Sequence, residues 1–210
     1  MDISTLSTGD IILFSGNELR SKTIEYVTNS KWSHVGIVIK NTDFLINTDK
    51  KDGIFLLESD GVELEDIDSG GKVFGVQIVD LNDVIKTYDG ILAYRKLKWK
   101  ATNEYIHDIL KVVYNTVYHK SYDWNIIDLL DPIIYKKFWI LDKILFMDHR
   151  RTNAFFCSAL AAYVYTQLGL LPPKTEWSLI YPQFFSEIKA LENDAELGEI
   201  VVIKDTLTKN

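Results

Sequence analysis

Short apolar runs separated by polar turns fill the first half of the chain, and three-and-four-spaced patterns fill much of the second. Ile11-Ile12-Leu13-Phe14, His34-Val35-Gly36-Ile37-Val38-Ile39, Ile54-Phe55-Leu56-Leu57-Glu58, the run 73–79 and Ile91-Leu92-Ala93-Tyr94-Arg95 read as strands. Ser7-Thr8-Gly9-Asp10, Ser15-Gly16-Asn17 and Asn41-Thr42-Asp43 supply the turns that bound them. Val62-Glu63-Leu64-Glu65 alternates as a half-exposed strand or extended loop, and Ile200-Val201-Val202-Ile203 closes the set. Helical spacing is predicted over 18–29, 81–86, from a Thr102 cap to about Tyr118, and over 183–191. In the third of these, Ile106, Ile109, Leu110, Val113 and Val117 form the apolar face, with His107, Tyr114 and Tyr118 on the other. The pattern is that of an α+β fold whose sheet is built mainly from sequence neighbours.

One further helix is set apart by what it starts with. Cys157, the sole cysteine, recurs with Leu160, Ala161, Val164 and Leu168 at three- and four-residue spacing, so the sulfur begins an apolar face that Gly169 ends. Asn153 or Thr152 can cap the helix, whose first-turn N–H groups favour a thiolate over a thiol. This placement suits a nucleophile, although a lone cysteine is also a common core residue.

Composition narrows the field. With 47% hydrophobic and 12% aromatic residues over 210 positions, the chain can bury a sizeable core, and neither a repeat nor a linker divides it, so residues 1–210 read as one domain. A net charge of −7 argues against nucleic-acid binding, which needs a dense basic face. One cysteine precludes an intrachain disulfide and fits a reducing compartment. Met1-Asp2-Ile3-Ser4 lacks the basic head and apolar run of a signal peptide, giving a cytoplasmic expectation. The uncharged stretch 152–173 contains polar residues and ends in Pro172-Pro173, and so reads as a buried helix and loop instead of a transmembrane segment.

An aromatic-rich helical insertion is expected at about 123–149, broken at Pro132. Trp139 and its neighbours offer more apolar surface than one helix face can bury, which makes this region a candidate wall for a lipid acyl chain and, equally, a covering or contact surface.

The remaining chemistry converges on His34. It stands at a strand mouth, between small Ser33 and Gly36, and Glu58 closes the next apolar run, where an unpartnered carboxylate is costly. Opposed residues on paired strands have Cβ atoms about 4.5–5.5 Å apart, close enough for Glu58 to accept from the imidazole. Cys157, His34 and Glu58 then make a Cys-His-Glu triad.

Gly9-Asp10-Ile11-Ile12-Leu13-Phe14, Ser33-His34-Val35-Gly36-Ile37-Val38, Leu57-Glu58-Ser59 and Phe156-Cys157-Ser158-Ala159-Leu160, with Gly169-Leu170, together resemble the circularly permuted branch of the NlpC-type papain-like hydrolases. That branch includes YiiX-like bacterial proteins, lecithin:retinol acyltransferase-like enzymes and poxviral relatives. The histidine precedes the cysteine, as permutation requires, and the likeness spans nearly the whole chain. It implies a papain-like fold, an antiparallel sheet or partial barrel packed against the cysteine helix, and a thiol hydrolase or acyltransferase acting on amide or ester bonds. In that resemblance Cys157 is the nucleophile, His34 the general base and Glu58 the residue that orients it. The substrate is then a small acyl-amide, ester or peptide, and no cofactor is required. Tyr122 is a candidate oxyanion donor, and Trp32, Ser33 and Trp139 are candidates for the pocket wall. The alternatives are a non-catalytic lipid- or peptide-binding module of the same fold, or an interaction module using the 124–149 surface. No metal site is expected: His107, His119 and His149 are poorly spaced for one, and the acidic run 63–68 reads as a solvated face. Oligomeric state is not legible from the sequence.

Overall fold

The computed structural model describes residues 3–27, 29–42, 45, 52–60, 64–118, 120–122 and 154–207. The expected insertion at 123–149, Trp139 within it, and residues 62–63 lie outside the described residues. The five apolar runs become β1 (Ile11–Gly16), β2 (His34–Lys40), β3 (Ile54–Asp60), β4 (Gly75–Asp80) and β5 (Gly90–Arg95). Five shorter strands follow: β6 (Leu97–Lys98), β7 (Ser121–Tyr122), β8 (Ala154–Phe155), β9 (Glu196–Leu197) and β10 (Val201–Asp205). Eight of the strands form one sheet in the order β10-β5-β1-β2-β3-β4-β7-β8, and β6 pairs with β9 in a small second sheet. Every pair is antiparallel except β7 with β8. The likeness to an α+β sheet of sequence neighbours holds from β1 to β4, but β5 inserts beside β1 at the other edge of that meander.

The long strands are apolar throughout because both sheet faces are covered. Ile11, Leu13, Val35, Ile37, Phe55, Leu57, Val76 and Ile78 belong to one core cluster, and Ile12, Phe14, Val38, Leu56, Val79 and Leu92 to another. Alternate side chains point to opposite faces, so a strand buried on both sides loses the alternation that marks a half-exposed one. On the second face lies α2 (Leu81–Thr87), begun by Asp80, whose carboxylate accepts from Asn82 N–H at 2.8 Å. Alongside β1 runs α1 (Leu19–Val27). α3 (Asn103–Val117) starts at the expected Thr102 cap, which accepts from Tyr105 N–H at 3.2 Å.

α4 (Cys157–Gln167) packs against β2 and β3, with α3 and the turn at Trp177–Leu179 on its other sides. Residues 157–166 are all buried, so the expected single apolar face is in fact a helix enclosed on every side. Its end is a Schellman motif: Leu170 N–H donates to Tyr165 O at 2.8 Å and Gly169 N–H to Thr166 O at 3.0 Å, with Gly169 at φ 75°. α5 (Pro182–Glu187) is shorter than the predicted 183–191, because Ile188 leaves the helical region.

Two polar clusters correct the sequence reading. Within the acidic run, Asp66 is fully buried and Asp68 nearly so; Asp66 accepts from Tyr118 OH at 2.7 Å and from Ile78 N–H at 2.8 Å, and Asp68 from Tyr114 OH at 3.1 Å. This is an anchored turn instead of a solvated face, and it draws Tyr114 into the core. Leu64 and Glu65 make no strand; Glu65 forms an isolated bridge with Lys72. Arg95, 1% exposed, donates to the carbonyls of Gly198, Phe185, Ile188 and Leu197 at 2.6–3.0 Å, fastening the C-terminal segment to β5.

Candidate active site

His34 opens β2, and Phe14 is its partner across the β1–β2 pair. The imidazole therefore projects onto Phe14's face, where the two rings meet edge to face at 4.7 Å. Ser33 continues the ladder, its N–H donating to Phe14 O at 2.8 Å. Gly36 lets Leu56 pack tightly behind the histidine: a Cβ there would lie 2.7 Å from Leu56 Cδ1.

The acceptor is Glu58, as the sequence suggested, but the geometry differs from a directly opposed pair. Ile37 pairs with Leu57, so the continued register sets Asp60 opposite His34 and Glu58 one diagonal step away on the same face. His34 Nε2 lies 2.8 Å from Glu58 Oε2 and 3.9 Å from Asp60 Oδ2. An ionised carboxylate only accepts, so Nε2–H donates and Nδ1 is the nitrogen left for another partner. Gln77 of β4, the direct cross-strand partner of Glu58 on β3, donates its Nε2–H to Glu58 Oε1 at 3.0 Å. Both carboxylate oxygens are thus engaged, and His34, Glu58 and Gln77 are all buried.

Burial alone would drive the His34 proton off. Attraction to the Cys157 sulfur and to Asp60, together with hydrogen bonding to Cys157 and Glu58, reverses that effect and holds the imidazole's proton affinity well above its ordinary value of 6.5. Cys157 and Glu58 therefore act on the same ring. Cys157 is a free, buried cysteine at the first position of α4. The strand pair β7–β8 delivers it: Tyr122 pairs with Phe155 two residues before the sulfur.

The expected cap is corrected. Phe156, in an extended conformation, occupies the N-cap position in place of Asn153 or Thr152, and it makes no side-chain cap bond. Its carbonyl accepts from Leu160 N–H at 3.0 Å, so the first-turn N–H groups of α4 are without a capping side chain.

Of the other sequence candidates, Ser33 is buried beside His34, its hydroxyl donating to Phe14 O at 3.3 Å. Trp32 is packed into the main core with Lys31 Nζ 5.4 Å from its ring centroid. Tyr122 is brought near the start of α4 only through its backbone, by pairing with Phe155. Three residues the sequence reading passed over belong here: Asp60, Gln77 and Tyr88. Asp60 was legible, since it shares Glu58's face by strand alternation. Gln77 is the one amide in Val76-Gln77-Ile78-Val79. Tyr88, just past α2, meets Phe14 edge to face at 5.1 Å, and burial raises its hydroxyl well above the usual range, with Asp60 and Glu25 adding to the shift. Nothing local in the sequence tied it to the histidine.

His34, Glu58 and Asp60 each offer a ligand atom, and these atoms lie within 4.8 Å of one another, a spacing that could hold a cation. The sequence expectation of no metal rests on the other histidines and the 63–68 run and does not bear on this trio.

The chain is similar in structure to the metalloprotein YiiX from Escherichia coli O157:H7, with a TM-score of 0.50 and 14% sequence identity over 95% of this chain and 97% of that one. At that identity the likeness shows the fold alone, and the fold is YiiX-like. No protein-family model matches the chain, and no curated protein matches it. Among the described residues no helix is long and apolar enough to cross a membrane.

Proposed function

We propose that the protein is a cysteine hydrolase or acyltransferase of the permuted NlpC-type, papain-like kind, acting on an amide or ester through Cys157. The observation that carries this reading is the buried His34–Glu58 pair, 2.8 Å apart, on an imidazole that is also coupled to the Cys157 sulfur. His34 takes the thiol proton as sulfur bonds to the carbonyl carbon, and the carbonyl oxygen gains charge that the uncapped N–H groups of α4 can face. The C–N or C–O bond then breaks, His34 gives its proton to the leaving amine or alkoxide, and a thioester remains on Cys157. Water, or an acceptor alcohol or amine, attacks that thioester as His34 takes its proton; the C–S bond then breaks, the acid or acyl-transfer product leaves, and His34 returns the proton to the sulfur as the thiol. Glu58 accepts from Nε2–H and keeps Nδ1 toward the sulfur; Gln77 holds Glu58 in turn. The raised proton affinity of His34 suits a base that must hold a proton between the two transfers.

A second reading rests on the trio His34, Glu58 and Asp60. One imidazole and two carboxylates suit a divalent ion, and the similar YiiX is described as a metalloprotein. Those three residues would hold the ion, which would supply Lewis acidity or an activated water. His34 would have to shed the proton that Glu58 and Asp60 favour.

Turnover of a panel of acyl-amides, esters and peptides by the wild-type protein, Cys157→Ala and chelator-treated protein separates these readings. Activity abolished by Cys157→Ala and indifferent to chelation supports the thiol mechanism. Activity lost on chelation and kept in Cys157→Ala refutes it.

A further inference from the structure

Tyr88 lies in a seat made of two glycines. Gly16 and Gly90 are cross-strand partners at the end of β1 and the start of β5; a Cβ on Gly90 would stand 2.7 Å from the Tyr88 ring, and one on Gly16 2.8 Å from its hydroxyl. Any side chain at either position would displace the tyrosine. From this seat the Tyr88 ring meets Phe14 edge to face at 5.1 Å, and Phe14 in turn meets the imidazole of His34 at 4.7 Å. Three rings thus run in series from the glycine pair to the candidate base.

The backbone of Tyr88 is held from the far end of the chain. Tyr88 caps α2, its N–H donating to Val84 O at 2.9 Å, and Lys204 Nζ donates to the carbonyls of Ile85, Lys86 and Tyr88 at 2.7, 3.3 and 2.6 Å. A cation is favoured at the C-terminal end of a helix, where carbonyls lack intrahelical donors. The β10–β5 ladder slips between Val202 and Lys204, and this bulge lets two consecutive residues serve the α2 side: Ile203 packs on the second core cluster while Lys204 reaches the carbonyls. Thr206 adds a bond from its hydroxyl to Asp89 Oδ1 at 2.7 Å. The last strand of the sheet therefore fixes the turn that carries Tyr88.

We propose that Tyr88 is a positioning residue for His34, acting through Phe14, and that Lys204 sets it in place. A half-turn of the imidazole about its Cβ–Cγ bond would exchange Nε2 with Cε1 and take the donor away from Glu58 Oε2. Phe14 opposes that turn by its contact with the imidazole, and Tyr88 opposes the movement of Phe14. The placement is independent of the chemistry His34 performs; its effect on turnover rests on the reading of His34 as the base for Cys157.

The test uses two readouts on the full chain, treated with chelator and kept at one pH. The first is solvent exchange of the His34 Nε2 proton, followed by NMR in 15N-labelled protein and assigned by its loss in His34→Gln. The second is acylation of Cys157 by p-nitrophenyl acetate, followed as nitrophenolate release. Tyr88→Leu should speed Nε2 exchange about fivefold, the weight of one edge-to-face ring pair, and lower the maximal acylation rate by about the same factor at an unchanged half-saturating concentration. Val38 N–H, bonded to Asp10 O further along β2, should exchange as in the wild type, whereas a merely structural loss would move both protons. Tyr88→Phe keeps the ring and should recover most of both losses. Adding Tyr88→Leu to Phe14→Leu should cost nothing beyond Phe14→Leu alone, because the two residues act in series. Should Phe14→Leu fail to fold, Lys204→Met, which keeps the stem and removes the donor, should still speed Nε2 exchange and leave Val38 unchanged. Unaltered Nε2 exchange in folded Tyr88→Leu, equal acceleration at Val38, or a further full loss in the double variant overturns the proposal. Faster Nε2 exchange in Tyr88→Leu, in a protein whose wild type is never acylated, upholds the positioning and refutes the thiol reading instead.

Discussion

Phe14 and His34 stand opposite each other across β1 and β2, their rings edge to face at 4.7 Å, and that pairing decides which side of the sheet the imidazole serves. It points with Phe14 and Leu56 toward α2, whereas Cys157 belongs to the core cluster under α4. The two sides meet at the first residue of β2, where the ring is coupled at once to a sulfur, to Glu58 and to Asp60. The candidate chemistry therefore sits at the end of a strand, where the sheet no longer separates its faces.

Glu58 should matter through orientation and Asp60 through charge. Glu58→Gln keeps an acceptor oxygen but loses the charge and should lower kcat by about 10²–10⁴-fold, less than Cys157→Ala, which removes the nucleophile. Asp60→Asn should cost about tenfold, since its carboxylate is 3.9 Å from Nε2 and partly solvated. Equal losses from Glu58→Gln and Cys157→Ala in folded proteins would contradict this division.

Stability should carry the signature of His34. Its proton is held more tightly in the folded chain than at the ordinary value of 6.5, so protonation favours folding. The contribution is fully present below about pH 6.5 and is lost as pH rises through the raised folded value. Urea unfolding of chelator-treated protein from pH 6 to 9 should show stability falling with pH, and His34→Gln should flatten that part of the curve. A curve indifferent to the substitution would show that the ring is not held protonated.

Arg95 should be a keystone without any role in turnover chemistry. Truncation to alanine leaves four carbonyls without their charged donor and should cost on the order of 3 kcal/mol or more, read as a lower denaturation midpoint. Arg95→Lys should recover only part of this, because an ammonium cannot reproduce the guanidinium's planar fork. Full recovery by lysine would mean that charge alone, not the fork, matters.

Sequence patterning revealed the five long strands, the Thr102 and Gly169 helix boundaries, and Glu58 as His34's acceptor, because each depends on local spacing or on the cost of burying a charge. It set Glu58 directly opposite His34, whereas the register, fixed by how β2 and β3 slide past each other, put Asp60 there. Two-residue strands such as β6 and β9 carry no period to detect. The cap at Cys157 was misplaced because Asn153 and Thr152 are better capping residues than Phe156, and β8 pairing overrode that preference. Arg95 and Tyr88 gave no local sign of their partners, which lie far along the chain or across the sheet.

The central claim is that Cys157 forms a covalent acyl-enzyme with the help of His34. Intact-protein mass spectrometry after brief exposure to activated acyl esters and acyl-amides tests it most directly, with peptide mapping to locate the adduct. The account predicts an acyl mass increment on Cys157, released by hydroxylamine and suppressed in His34→Gln. An unmodified Cys157 in protein that turns over the same substrates, or an increment of equal size in wild-type and His34→Gln, would contradict it.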